Sequence, residues 1–257
     1  MFENIELDFK EKYALITINR PKVRNALNLD TLAEIEEAIE ICEKDPSVSV
    51  IVFKGAGDKA FAAGADIEQL KTRKMLDALD PGMQKTYKKI ESCSKATIAA
   101  INGYALGGGC ELALCCDIRV ASDHAKIGLP ELNLGILPGA GGTQRLMRIV
   151  GKGIALDMIL TGRIISGEEA ERIGLVSEVV PLEKLEYLIE RKAEAISSKG
   201  PIAVKLAKMV VHSGYDVDLD TALLIEKMAQ TIAFGTEDKV EGTAAFLEKR
   251  KPQFKNR

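Results

Sequence analysis

Residues 95–122 read KATIAAINGYALGGGCELALCCDIRVAS, and the succession within this stretch decides the fold. KATIAAING has the β-branched and small apolar content of a strand running into a loop. GGGCELALCC is a short apolar helix behind three glycines, and DIRVAS is a further strand. Strand, helix and strand in such close order indicate an α/β layer structure. One residue sits badly in it. Glu111 stands among Ala, Leu and Cys, sharing a helical face with Leu114 and Cys115. Burying an unpaired carboxylate costs several kcal/mol or drives its pKa up until it is neutral.

Working towards the N-terminus, IELDFKEKYALITINR suggests two short strands turning at Lys10–Lys12, and Pro21 ends the second. Asn28 or Asp30 then caps a helix whose apolar positions Leu32, Ile35, Ala38, Ile39 and Cys42 recur at helical spacing up to Asp45–Pro46. VSVIVFKG reads as a buried strand closed by Gly55 and Gly57. KAFAAGAD reads as a loop, followed by a polar helix to about Lys74 and another from Pro81 to Cys93. Beyond Gly151 helices dominate, at 153–160, 167–173, 183–198, 201–213, 218–234 and 237–249, with a brief strand VSEVV before Pro181. The pattern predicts an α/β core followed by a helical section. The boundary falls near Gly200–Pro201, giving units 1–200 and 201–257, with no low-complexity linker between them.

Composition narrows the function classes. The 257 residues are 46% hydrophobic, enough for a substantial core, and 35 basic against 38 acidic residues leave a net charge of −3. That balance offers no global field for nucleic acid or an anionic membrane. The start MFENIELDFK has no signal-peptide pattern, and no apolar run approaches the roughly 18–20 residues of a membrane span, so a cytoplasmic protein is expected. Cys42, Cys93, Cys110, Cys115 and Cys116 show no C-x-x-C spacing and suit small buried thiols. His124 and His212 are the only histidines, which disfavours a zinc site, and no G-x-S-x-G elbow is present. His124, in SDHAKIG, reads as a loop or strand-end residue.

The glycine-rich stretches fail both nucleotide tests. Leu146 stands where a phosphate loop ending at Gly151–Lys152 needs glycine, and Gln144 stands where a dinucleotide fingerprint starting at Gly139 needs its third. What remains are three loops that each meet a helical pattern: FAAGADI (61–67), NGYALGGGCE (102–111) and LPGAGGTQRL (137–146). Glycine lets amides approach a ligand, and two N–H groups converging from separate loops make an oxyanion hole. Read as turns alone, the same glycines supply positive φ. Glu131, in KIGLPELNLGILPG, is a second carboxylate in apolar company. Each glutamate, taken singly, fits a structural acceptor of helix N-terminal amides; two in one cleft can titrate apart and act as acid and base.

These strings resemble the crotonase (enoyl-CoA hydratase/isomerase) superfamily. FAAGAD, AAINGYALGGGCELALCCDIR, GLPELNLGILPGAGGTQRL, the A-x-x-x-GLV segment Ala170–Val176 and the terminal AFLEKRKPQF carry the likeness over nearly the whole length. The resemblance implies an α/β fold, a spiral of ββα repeats with a C-terminal helical trimerisation region, assembled as a homotrimer or as a hexamer of two trimers. It implies acyl-CoA thioester substrates and no metal or redox cofactor. Ala65 and Gly108 match the positions whose N–H groups bind the thioester oxygen, and Glu111 and Glu131 match the two catalytic glutamates of the hydratases. Having both acids favours hydration over isomerisation. Ala63, Asp66 and Ile67 match positions lining the CoA site, and Arg24, with Lys22, is placed to meet CoA phosphates. Glu68 stands where the family often has a basic residue, so no phosphate contact is expected there.

The expected activity is therefore addition of water across the trans-2 double bond of a short enoyl-CoA. A hydratase of branched substrates such as methylglutaconyl-CoA is the alternative within the fold, favoured by CDIRVAS and the GLPE context. A non-catalytic or RNA-binding homologue is the alternative outside it, favoured only by the basic tail EKRKPQFKNR.

Overall fold

A computed structural model describes residues 2–257. The chain starts with an antiparallel hairpin, β1 (Ile5–Phe9) and β2 (Tyr13–Ile18). Helix α1 (Leu29–Lys44) begins where Asn28 accepts the Thr31 N–H, so Asn28, not Asp30, is the cap; its buried face includes the predicted Leu32, Ile35, Ala38, Ile39 and Cys42. Then come β3 (Val50–Gly55), β4 (Ala60–Ala62), α2 (Ile67–Thr72) and α3 (Gly82–Ser92). The helix expected to run to Lys74 stops at Thr72, where Arg73 turns extended, and a 3-10 turn over Met75–Leu79 follows. β5 (Ala96–Ile101), β6 (Tyr104–Leu106) and α4 (Gly108–Leu114) make the next turn, and β7 (Ile118–Ser122), β8 (Lys126–Gly128) and a 3-10 turn over Glu131–Leu134 the one after.

The strands fall into two sheets. β1-β2-β3-β5 and β7 line up in a six-stranded sheet whose last strand is β10 (Val179–Val180); β4, β6 and β8 form a smaller sheet closed by β9 (Ile165–Ser166). All pairings are parallel except β1 with β2 and β8 with β9. After the hairpin, the pairs β3/β4, β5/β6 and β7/β8 each lay one long strand in the first sheet and one short strand in the second before the next helical element. The long strands match the sequence reading, while β4 and β6 lie in stretches that read as loops. Three residues such as Ala60–Phe61–Ala62 are too few and too uniformly buried to alternate.

The long strands are covered on both faces. Ile16, Ile51, Phe53, Ala99 and Ile101 point into one core with α1, α3 and α4, while their neighbours Leu15, Val50, Val52, Ile98 and Ala100 point into a second. That alternation is the period-2 rule for a sheet buried on both sides. The second core is closed by α8 (Leu185–Ser197), through Leu185, Leu188 and Ile189. In chain order α5 (Gly142–Val150), α6 (Lys152–Thr161) and α7 (Gly167–Arg172) precede α8, and their buried apolar residues join the first core.

From Pro201 the character changes. α9 (Pro201–Gly214) has no buried residue, α10 (Leu219–Phe234) buries only Ala229, and α11 (Glu237–Leu247) only Asp238 and Ala245. Val211, Leu219, Met228, Phe246 and Leu247 are all more than half exposed. One polar anchor ties α9 back: Asp117 accepts from Lys208 Nζ at 2.9 Å and lies 2.9 Å from His212 Nε2, while also accepting from the Thr97 N–H and hydroxyl. Burial opposes the Asp117 charge, but these partners outweigh it and hold its pKa below the usual range. Among the described residues no helix is long and apolar enough to cross a membrane, and all five cysteines are free and buried. His124 is exposed in the turn after β7.

Candidate active site

The site lies where β4, β6 and β8 end side by side. After β4 the chain passes Ala63, Gly64 and Ala65; after β6 it passes Gly107 into α4; after β8 it reaches Pro130 and Glu131. Gly109 explains how close these ends come: a Cβ there lies 1.9 Å from the Ala62 carbonyl oxygen, so only glycine lets α4 meet β4. A Cβ built on Gly108 lies 3.4 Å from the Ala65 nitrogen, and one on Gly64 lies 3.6 Å from the Gly108 nitrogen. The Ala65 and Gly108 amides are therefore neighbours. Gly108 is the first residue of α4, so its N–H has no partner inside the helix, and the bridge between Leu27 and Ala65 uses the Gly64 carbonyl and the Asp66 N–H, leaving the Ala65 N–H free. The Gly108 carbonyl is fixed by the buried Tyr87 hydroxyl of α3, which donates to it at 2.6 Å, and Met83 packs against the same glycine.

Glu111 lies one turn further along α4, 3% exposed. Its Oε1 accepts two N–H bonds at 2.8 Å, from Ala140 and Gly142, the latter being the first residue of α5. The third glycine loop thus serves this carboxylate and sends no amide to the Ala65–Gly108 pair. A Cβ on Gly142 lies 2.9 Å from Glu111 Oε1, so the loop closes on the carboxylate at van der Waals range. Burial raises the Glu111 pKa above the usual carboxylate range, and both amides and the nearby Arg145 offset only part of that rise.

Glu131 has less of that support, its own backbone N–H being the one donor that favours its charged form. Its carboxyl lies against Gly107, with Oε1 3.2 Å from where a Cβ would stand, and its Oε2 is buried without a hydrogen-bond partner. Burial, with the Glu111 charge adding to it, pushes its pKa up to about 7. The cleft therefore contains one carboxyl furnished with donors for its charged form and one that retains its proton to neutral pH, beside two free amides. Such a set can polarise a carbonyl while a base and an acid act on atoms next to it.

The predicted binding residues divide. Ala63 donates its N–H to the Arg24 carbonyl, which puts Arg24, exposed and left-handed at φ 54°, on the rim beside the Ala65 amide. Lys22 is exposed in the preceding 3-10 turn. Ile67 is 58% exposed at the start of α2. The Asp66 side chain is committed locally: it caps α2 at the Glu68 N–H and pairs with Arg20 at 3.2 Å. Glu68 points to solvent. Sequence reasoning missed Asn25, which is 1% exposed and holds the rim by accepting from Arg20 N–H and donating to the Ala56 and Ala60 carbonyls. It also missed Tyr87 and Arg145, whose helices gave only a periodicity.

Comparison with known proteins gives a consistent result. A family model described as enoyl-CoA hydratase/isomerase matches residues 8–257. A crotonyl-CoA hydratase of Syntrophomonas wolfei is 49% identical over 255 residues, covering 98% of both chains. A short-chain-enoyl-CoA hydratase of Clostridium acetobutylicum is 47% identical over 257 residues, covering 99% of this chain and 98% of the other. Among solved structures, an enoyl-CoA hydratase from Bacillus anthracis superposes with a TM-score of 0.96 at 42% identity, covering 99% of this chain and 100% of that one.

Proposed function

The chain belongs to the enoyl-CoA hydratase/isomerase family and is an enoyl-CoA hydratase of crotonase fold; from that premise we propose that it hydrates short trans-2-enoyl-CoA thioesters with Glu111 as base, Glu131 as acid and the Ala65 and Gly108 amides as oxyanion hole. The observation that carries this is the unequal furnishing of the two carboxyls. Glu111 Oε1 takes two amide donors, whereas Glu131 Oε2 takes none and the group keeps its proton up to about pH 7.

The thioester oxygen sits between the Ala65 and Gly108 N–H groups, whose donors are worth most once negative charge gathers there, roughly 10²–10³ in rate for each. Glu111 orients a water and takes one of its protons as the oxygen bonds to C3. The C2–C3 π electrons move towards the thioester, and Glu131 delivers its proton to C2. Glu111 is then protonated and Glu131 ionised, and proton exchange through solvent restores the starting pair. Every group in this scheme is protein or water, so no metal or redox cofactor enters it. Arg24 and Lys22, exposed on the rim without an ion-pair partner among the described residues, are suited to the phosphates of CoA.

The names of the crotonyl-CoA and short-chain hydratases support a short acyl group here, and Met83 and Tyr87 beside Gly108 leave bulky side chains where that group would extend. The division at residue 200 and self-association through 201–257, as a trimer or a pair of trimers, are supported by the apolar residues that α9, α10 and α11 leave uncovered. Free thiols at all five cysteines suit a reducing, cytoplasmic setting.

The test is loss of the conjugated-thioester absorbance of crotonyl-CoA. The wild-type protein bleaches it; Glu111→Gln and Glu131→Gln each lose the activity while keeping the far-UV circular dichroism of the parent. Full activity in both variants sinks the assignment.

A further inference from the structure

Arg145 does not touch the two glutamates, yet its position bears on both. It projects from α5 with 15% of its side chain exposed. Nε and Nη2 grip the two carboxylate oxygens of Glu91, on α3, at 3.0 and 3.2 Å, and Nη1 donates to the Ala140 carbonyl at 3.0 Å. Ala140 is the residue whose own N–H donates to Glu111. The guanidinium therefore fastens the far side of the loop that aims two amides at the base, and sets a positive charge one residue behind that loop.

We propose that Arg145, held in place by Glu91, is a positioning residue that decides which glutamate is the base, by fixing the 138–142 loop on Glu111 and lending that side of the cleft its positive charge. The inference rests on the assignment of Glu111 as base and Glu131 as acid. Bidentate pairing makes the placement rigid, since the planar fork fits a carboxylate in one orientation and leaves Nη1 aimed at the loop.

The surrounding charges decide the sign of the effect. On α3, Glu91 also meets the exposed Lys88 at 3.2 Å, and Tyr87 faces Glu111. On α4, the flanking Cys110 and Cys115 are buried thiols raised far above neutral pH and so carry no charge. Across the cleft is Glu131. Arg119 lies beyond the thiols, bonded to the Leu175 and Cys116 carbonyls. Arg145 is then the cation acting on Glu111, and Glu91 is the carboxylate that pairs with that cation. Removing Arg145 makes Glu111 harder to ionise; neutralising Glu91 makes it easier.

The experiment is the pH dependence of kcat/KM for crotonyl-CoA in the full-length protein, measured for wild type, Arg145→Gln, Arg145→Lys, Glu91→Gln and, as a control, Glu111→Gln. The acid limb is expected to move up by at least about half a pH unit in Arg145→Gln and down by a similar amount in Glu91→Gln. Arg145→Lys keeps the charge and loses the fork, so its acid limb stays within about 0.2 pH unit of wild type while kcat falls several-fold. A purely structural part for the pair predicts weaker activity in the variants with no movement of the limb. Limbs that coincide with wild type in Arg145→Gln and Glu91→Gln, or that move in the same direction, overturn the proposal. If Arg145→Gln does not fold, the downward shift in Glu91→Gln and the unmoved limb in Arg145→Lys still decide it. Glu111→Gln separates the two levels: loss of activity there with unmoved limbs elsewhere refutes the part given to Arg145 alone, whereas retained activity with a wild-type limb refutes the base assignment and this proposal with it.

Discussion

Replacing Glu131 with Gln should abolish hydration and yet make the protein harder to unfold above neutral pH. The reason is the displaced ionisation of a carboxyl with a buried, unpartnered oxygen. In the folded chain it titrates at about 7 in place of its ordinary 4.5. A raised carboxyl pKa contributes stability at pH below the unfolded value, and that contribution is lost as pH rises through the folded value. At about 1.4 kcal/mol per pH unit the loss is on the order of 3 kcal/mol by pH 8; because the group is half-buried, roughly half of that is expected after solvent screening. The amide of the Glu131→Gln variant has no ionisation to lose. Its burial cost is nearly the same at every pH, so the useful quantity is the difference in Tm between variant and wild type, compared at pH 5 and pH 8. About a quarter of the loss is already incurred at pH 5, so with about 2–4 °C per kcal/mol for a chain of this size the difference should move about 2–5 °C in favour of the variant between the two pH values. Thermal unfolding followed by circular dichroism at one fixed protein concentration measures it, since association would shift Tm with concentration. A difference that stays constant, or that turns against the variant at pH 8, would show that Glu131 ionises as it does in water. It could not then hold the proton for C2.

Four further outcomes follow from the same geometry. In wild type, kcat/KM should decline on the basic side with an apparent pKa near 7, belonging to the carboxylate pair and absent from any residual activity of Glu131→Gln. Tyr87→Phe removes the hydroxyl that donates to the Gly108 carbonyl, and should lower kcat about 5- to 10-fold with little change in KM, as expected for a lost bond of about 1–1.5 kcal/mol felt mainly in the transition state. Gly109→Ala places a methyl 1.9 Å from the Ala62 carbonyl oxygen; no side chain can give way there, so soluble, folded protein should drop sharply on expression, and normal yield with normal activity would contradict the close approach of α4 to β4. Asp117→Asn leaves the Lys208 ammonium, 10% exposed, without its carboxylate, and should cost about 3–5 kcal/mol in urea unfolding at pH 7; the penalty shrinks as pH falls through the lowered pKa of the native Asp117, where the carboxylate is protonated in wild type as well.

The parts of the molecule legible in the sequence were those with a period. Leu32, Ile35, Ala38, Ile39 and Cys42 announce α1 because helical spacing repeats often enough to be counted, and the β-branched run from Val50 to Phe53 announces β3. The second sheet was hidden because Ala60–Ala62, Tyr104–Leu106 and Lys126–Gly128 hold three residues each, and their pairing is made by neighbours far away in the chain. In the site, chemistry of the odd residue was legible and its wiring was not. Glu111 stood out as a charge in apolar company, but nothing local says that its amide donors come from Ala140 and Gly142 or that Glu91 on α3 braces their loop through Arg145. Asp66 is a similar case: the family resemblance marks it as lining the CoA site, but nothing local shows that its carboxylate also caps α2 and pairs with Arg20.

The smaller sheet also has a bearing on how such chemistry can be altered. Its parallel strands deliver the site turn by turn: the Ala65 amide after β4, the Gly108 amide and Glu111 after β6, Glu131 after β8. Each element hangs on its own loop, while the strands beneath keep the spacing between loops. The position that carries the proton donor can therefore be vacated or refilled on one turn without disturbing the carbonyl grip built by the two before it. Gripping a carbonyl oxygen and placing a proton are thus assigned to separate loops, and a substitution on the third turn addresses the second task with the amides of the first two left in the backbone.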